Sequence, residues 1–416
     1  MSNGINGNHG PITTTTIMTR LFPQDQPPLL EELERLCSRT VSSETYPLAS
    51  SIQKNIPIYE IWRFDQTDDD TVSRLQDEWH HILYAGPGVF VLKGLYSLDR
   101  YGSVLDAANA TFQRIIEQER EQRARDGRRK GDHFAQKGAN DRIWNSFSKH
   151  ALADPHSFVE YYSNPWLARV CEAWLGPAYR ITAQVNVVKP GGAPQNCHRD
   201  YHLGFQAADR CARYPRSIQV ASQLLTLQGA VAHSAMPLDS GPTRVLPFSQ
   251  LFEPGFVAYR REEFQQYFLE RYVALPLEMG DGIFFNPALF HAAGANDTGD
   301  LHRTANLLQV SSAFGKTMES IDSIPLVEQC WDILAEKYKT DGGFSQQVVA
   351  FVQAVAEGYP FPTNLDNRPP APSGMAPESE QELIMRGLKE GWMRERVVGE
   401  LRQMRVDSAC SAEQFA

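Results

Sequence analysis

A histidine and an aspartate one residue apart, His198 and Asp200, follow Lys189-Pro190-Gly191-Gly192, a turn that closes a run of β-branched residues. On an extended chain residues i and i+2 share a face, so an imidazole and a carboxylate at this spacing can grip one metal ion together. A third ligand is then required. Downstream, Leu277-Glu278-Met279-Gly280-Asp281-Gly282 turns into the apolar run Ile283-Phe284-Phe285, and Phe290-His291 lies just beyond it. His291 is the natural third ligand, and the 93 residues separating it from His198 leave room for strands that bring the two across a barrel mouth. Two histidines and one carboxylate leave three coordination positions open, which suits Fe(II) that must bind a bidentate co-substrate and then O2. If that co-substrate is 2-oxoglutarate, its distal carboxylate needs a cation, and the planar fork of arginine pairs with a carboxylate bidentately. Arg303 stands twelve residues after His291, and a tight return through Gly294-Ala295-Asn296-Asp297 would bring it back beside the metal. Each residue alone is weak evidence, because most histidines only satisfy local hydrogen bonds. The ordered set of His-x-Asp, Gly-Asp turn, His and Arg carries the reading.

Such a set needs a scaffold. Between residues 178 and 314 short β-branched or aromatic runs alternate with Gly and Pro, at 181–189, 217–231, 243–247, 282–285 and 305–310, and predict an antiparallel β-sandwich or barrel. Ahead of it, Val72, Leu75, Trp79, Ile82 and Leu83 fall at helical spacing until Gly86-Pro87-Gly88, and 89–92 reads as a buried strand. A helix is expected at about 99–123. After about 320 helices return at 327–338 and 346–356, followed by a Pro-rich linker and a last helix at about 380–405. That helix carries Ile384, Leu388, Trp392, Val398, Leu401 and Met404 on one side, a face for the barrel or for a second copy in a homodimer, and Gly387, Gly391 and Gly399 weaken it.

The net charge of −10 argues against a general affinity for nucleic acid or anionic membranes, and points to a small-molecule substrate. The stretch 117–130 mixes acids with its bases and reads as a solvated face. Six scattered cysteines without a C-x-x-C pair suggest neither a disulfide framework nor a thiolate zinc site. No run approaches the ~18 apolar residues of a membrane span, the first twenty residues hold no signal-peptide core, and the closing Gln414-Phe415-Ala416 is not a peroxisomal signal. A cytoplasmic location is expected.

Three blocks carry a resemblance: Gln195-Asn196-Cys197-His198-Arg199-Asp200, then Ser240-Gly241-Pro242-Thr243-Arg244-Val245-Leu246-Pro247-Phe248-Ser249, then 280–291 with Arg303. Together they resemble the phytanoyl-CoA dioxygenase family of Fe(II) and 2-oxoglutarate oxygenases, which includes many fungal secondary-metabolite enzymes. The resemblance implies an α+β chain with a mainly β core, a double-stranded β-helix of the jelly-roll, cupin-like kind with flanking N- and C-terminal helices. The chain then divides into 1–28, a disordered tail by its Gly-, Asn-, Thr- and Pro-rich composition, 29–320, the oxygenase domain with its core at about 178–314, and 321–416, a helical extension; the tail and the C-terminal helices fall outside the resemblance. The resemblance implies iron at His198, Asp200 and His291, the distal carboxylate of 2-oxoglutarate at Arg303, and contacts to that co-substrate from Gln195 and Thr243. The family's usual Pro-Gly-Ser-His turn stands here as Pro247-Phe248-Ser249-Gln250, so another turn geometry is expected. Related halogenases lack the carboxylate ligand; Asp200 therefore favours oxygen chemistry, with succinate and CO2 formed at each turnover.

Two other readings stay open. A cupin-like metal hydrolase or isomerase could use the same three ligands but has no need of Arg303, and a non-catalytic binding module has no need of the ligand set. Of the remaining candidates, His202 reads as a wall or outer hydrogen-bond donor, His233 as facing the pocket or satisfied structurally, and His302 as pointing away from Arg303. Cys197 should face away from the metal, and Tyr161, Tyr162, Trp166 and Trp174 read as helix packing.

Overall fold

The computed structural model describes residues 18–23, 25–126 and 140–409. Its ten strands are β1 Ser51–Gln53, β2 Ile56–Glu60, β3 Val89–Lys93, β4 Asn140–Ile143, β5 Arg180–Val188, β6 Thr226–Ala232, β7 Arg244–Leu246, β8 Gly282–Phe285, β9 Phe290–Ala292 and β10 Arg303–Ser311. Eight form one mainly antiparallel sheet in the order β1-β2-β3-β8-β6-β10-β5-β4. Opposite it lies a smaller layer made of the β7–β9 ladder and the isolated bridges His198↔His291, Met236↔Leu277 and Val245↔Val273.

The long strands are two-faced. On β5, Ile181, Ala183 and Val185 join the core shared with the helices, while Gln184 and Asn186 face the space between the two layers. β10 pairs with β5 along its whole length, from Arg303↔Val188 to Ser311↔Arg180, and with β6 on its other edge. This register places Arg303, Ala305, Leu307 and Gln309 on the inner face and Leu308 and Val310 on the helical face.

Helices cover the outer face. The helix Asp69–Tyr84 starts where the Asp68 carboxylate accepts the Thr71 N–H, and it buries Val72, Leu75, Trp79, Ile82 and Leu83 as one stripe. Trp79 is fully buried and stacks on Phe90 of β3 at 5.7 Å, a burial that contributes about 3 kcal/mol. The helices Ser323–Thr340 and Gln346–Val355 add Trp331, Leu334, Phe351 and Val352 to the same core.

Several expectations meet corrections. The run 217–231 is not a single strand: Arg216–Leu224 is a helix, and β6 begins at Thr226. Its β-branched residues suggested a strand, but the chain buries Gln219 and Ser222, three apart, and leaves Ile218 exposed. The last helix is two, Glu380–Lys389 and Arg394–Ser408, because Gly391 takes a φ of 68° that ends the first. Their apolar side chains Ile384, Leu388, Trp392 and Leu401 are buried within this chain's own core, so that face is not left open for a second copy. Of the predicted tail, residues 1–17 and 24 lie outside the described residues, whereas the Arg216 guanidinium stacks over Phe22 and the Arg216 N–H donates to Arg20. Residues 127–130 of the charged stretch also lie outside. No helix among the described residues is long and apolar enough to cross a membrane.

Candidate metal centre

Between the two layers lies a cavity of about 590 Å³ whose lining includes His198, Asp200, His291, Arg303, Gln195 and Thr243. The chain at 196–200 is extended, and the backbones of His198 and His291 exchange both hydrogen bonds, at 3.0 and 3.1 Å. That bridge sets the two imidazoles side by side, and alternation brings Asp200 to the same face. The three groups offer ligand atoms all within 4.8 Å of one another.

The hydrogen-bond pattern says what these atoms present. His198 Nδ1 lies 2.9 Å from the Asn196 carbonyl and His291 Nδ1 lies 2.8 Å from the Leu289 carbonyl. A carbonyl only accepts, so each Nδ1 donates and each Nε2 turns a lone pair inward. His291 Nε2 stands 3.3 Å from Asp200 Oδ2 and His198 Nε2 3.6 Å from Asp200 Oδ1. Neighbouring ligands of an octahedral ion bonded at about 2.1 Å sit about 3 Å apart, so these spacings suit one cation between three electron-pair donors. Burial opposes ionisation of Asp200, but the facing His198 and His291 rings and the hydrogen bond from Gln228 outweigh it and hold the carboxyl well below its usual range. Burial, with His291 next, holds the His198 imidazole below its ordinary value.

The other end of the cavity is basic. Arg303 Nη1 donates to the carbonyls of Ser240 at 2.9 Å and Gly294 at 3.4 Å. These belong to two segments that cross at Gly241 and Gly294, where a Cβ on Gly241 would lie 2.1 Å from the Ala295 carbonyl oxygen. Only glycine allows that approach, which explains the Ser-Gly-Pro-Thr block and carries Thr243 into the lining. Arg244 donates to the carbonyls of Gln195 and Ala293, and Gln195 Oε1 accepts the Ala293 N–H. Burial, with Arg244 next, lowers Arg303 to about 10, which still leaves it charged at neutral pH. Among the described residues the Arg303 guanidinium pairs with no carboxylate, so this end of the cavity attracts an anion.

Other residues gathered here had no signal in motif form. Gln228 of β6, Gln184 of β5, Gln309 of β10 and Arg142 of β4 line the cavity; Arg142 Nη1 donates to Gln184 Oε1 at 3.0 Å and Gln184 Nε2 reaches Gln309 Oε1 at 3.4 Å. Polar residues at inward parity in otherwise apolar strands were the available clue. Asp281 of the Gly-Asp turn is structural, accepting from Lys93, the Gly94 N–H and the Glu278 N–H. His202 is not in the lining; Tyr201 and His202 take φ of 62° and 40°, which turns the chain away directly after Asp200. His233 is structural, bonded to Tyr161 and Asn109 on the helical face. Cys197 points away from the metal face into an apolar cluster with Leu246, Phe252 and Phe264. Phe248 adopts φ 70°, the left-handed conformation glycine favours, so the altered turn keeps a glycine-like backbone.

A two-histidine, one-carboxylate face opening on a cavity with a guanidinium that pairs with no carboxylate among the described residues is an arrangement that can serve a non-haem metal oxygenase. The phytanoyl-CoA dioxygenase (PhyH) family matches residues 66–305, more than half of the chain, and the chain belongs to that family. It is 26% identical over 151 residues to dioxygenase andF of Emericella variicolor, a match that takes in 35% of this chain and 46%, about half, of that protein. Similar solved structures include the 2-oxoglutarate-dependent epimerase SnoN from nogalamycin biosynthesis, at 18% identity and TM-score 0.40 over 59% of this chain and 85% of the other. HygX from Streptomyces hygroscopicus, solved with nickel, 2-oxoglutarate and hygromycin B, is 12% identical at TM-score 0.42 over 59% of this chain and 90% of its own.

Proposed function

We propose that this chain is an Fe(II)- and 2-oxoglutarate-dependent dioxygenase that oxidises a small organic molecule, a natural-product intermediate of secondary metabolism. Fe(II), 2-oxoglutarate and O2 are the cofactors of its family, and when bound they supply the oxidising power and form succinate and CO2. His198, Asp200 and His291 are the metal ligands in this reading. Arg303 holds the distal carboxylate of 2-oxoglutarate, with Gln195 and Thr243 beside it. Residues 29–320 make the oxygenase domain on a double-stranded β-helix, the eight-stranded sheet being its major side, and 321–416 its helical extension in a cytoplasmic protein.

One observation carries the reading: a single cavity holds three converging lone-pair donors at one place and a buried arginine without a carboxylate at another. A metal hydrolase or isomerase would use the first and leave the second unexplained. The chain's own part is to orient ligands, bind the dicarboxylate and keep bulk water from the reacting atoms. Hydroxylation is the simplest outcome, with desaturation, epoxidation or rearrangement open to the same site.

The test is an anaerobic titration with Fe(II) and then 2-oxoglutarate, followed by the weak visible charge-transfer band of the chelate. The band should form in wild type and demand about 100-fold more 2-oxoglutarate in Arg303→Ala, the loss of a charge-assisted bidentate pair. Iron binding without the band would favour a hydrolase or isomerase. Failure to bind iron at all would favour a binding module.

A further inference from the structure

Arg199 sits between two proposed ligands and faces the opposite way. It is only 1% exposed, and its Nη2 donates to the carbonyls of Ser249 at 2.7 Å and Phe252 at 2.8 Å, while Nε and Nη1 have no partner. The rings of Phe256 and Phe290 lie 5.1 and 5.2 Å from its guanidinium carbon, and a Cβ on Gly255 would fall 1.9 Å from that carbon. A buried guanidinium without a carboxylate is costly, and well-packed apolar side chains commonly replace buried charges without loss of stability. Stability alone therefore does not account for it.

The groups it touches do. Ser249, whose carbonyl takes the Arg199 bond, also accepts the Phe290 N–H on its hydroxyl at 2.8 Å, and its hydroxyl donates to Leu246 at 2.6 Å. Phe290 precedes His291, and its ring is one of the two flanking the guanidinium. The strand that carries His198 and Asp200 and the strand that carries His291 are joined on the cavity side by the His198–His291 bridge, and behind it they meet at Arg199 and Ser249.

We infer that Arg199 is a positioning residue that ties the two ligand-bearing strands together from behind and so preassembles the metal face. The inference rests on the iron reading of the site. The two donors to carbonyl oxygens fix the height of the 198–200 segment, and the aromatic sandwich fixes its rotation. Without them His198 and Asp200 keep their place in the chain but lose their common angle to His291.

The experiment is Fe(II) binding by full-length protein, measured anaerobically against a chromogenic chelator, in wild type and Arg199→Met. Near-UV circular dichroism and melting are recorded on the same samples. Arg199→Met is expected to keep the wild-type spectrum while binding Fe(II) about 10- to 100-fold more weakly, the range for loss of an outer hydrogen-bond partner. A folded Arg199→Met that binds Fe(II) as tightly as wild type overturns the inference and leaves the iron reading standing. Wild type that binds no Fe(II) overturns the iron reading and this inference with it. Should Arg199→Met not fold, Ser249→Ala cuts the other half of the tether: weakened Fe(II) binding in a folded variant supports the inference, and unchanged binding overturns it.

Discussion

Gln228 Nε2 donates to Oδ2 of Asp200 at 2.6 Å, so a strand of the large sheet steadies the carboxylate that the opposite layer supplies. Gln228→Leu removes the donor while keeping most of the bulk. Fe(II) affinity is expected to fall about tenfold, the low end of the effect of an outer hydrogen-bond partner. Anaerobic Fe(II) titration checks it, and an unchanged dissociation constant would make the amide a bystander.

Arg303→Lys should separate charge from shape. The ammonium keeps the attraction but not the fork, so 2-oxoglutarate binding should weaken by about tenfold, well short of the loss in Arg303→Ala. Isothermal titration with the Fe(II)-loaded protein under nitrogen reads both constants. Equal losses in the two variants would mean the charge contributes nothing.

Two buried histidines make stability fall with acid. Burial holds His150 at about 4 and His233 at about 3, the latter also repelled by His150. Unfolded, both rings titrate near 6.5, so below that pH the unfolded chain binds more protons. Their contribution is intact above about 6.5 and is lost as the pH falls toward the folded values. From pH 6.5 to 5 each ring should remove about 2 kcal/mol, at about 1.4 kcal/mol per pH unit. Urea unfolding at pH 7 and 5 measures the slope, and His233→Gln should flatten it by about half; a slope unchanged in that variant would refute the assignment.

Trp392 lies in the break between the last two helices, 5% exposed, with its carbonyl accepting from Trp331 Nε1 at 3.0 Å. Trp392→Ala should cost about 3–5 kcal/mol by leaving a cavity against Trp331 and Gly387. Denaturant unfolding checks this. Iron binding, measured on the fraction that stays folded, should be unaffected.

That His198, Asp200, His291 and Arg303 gather in one cavity was legible because the information is local: alternation fixes His198 and Asp200, and the Gly-Asp turn announces the strand before His291. Helix Asp69–Tyr84 was legible from its helical period, and strands β3, β5, β8 and β10 from short β-branched or aromatic runs bounded by turn residues. The helix Arg216–Leu224 was not, because Ile218 and Val220 favour a strand while the chain buries Gln219 and Ser222 at helical spacing. Gln228, Gln184 and Arg142 left at most the clue of a polar residue in a strand, because their meeting depends on register between strands distant in sequence, which no single stretch encodes. The apolar face of the C-terminal helices could be read as covering either the barrel or a second copy, because the sequence shows an apolar stripe but not what covers it; the structure packs it into this chain's own core.

Strand β10 has a consequence for which molecules fit. Arg303 stands at its start and Gln309 six residues on, both facing the cavity, so the strand acts as a gauge of about 20 Å along the cavity wall. A slip of one residue in its pairing with β5 or β6 would turn Arg303, Ala305, Leu307 and Gln309 together out of the cavity. On the proposed reading, in which Arg303 holds a dicarboxylate, a chain paired out of register would have nothing to offer that ligand, so binding would favour the one alignment in which both ends of the gauge point inward.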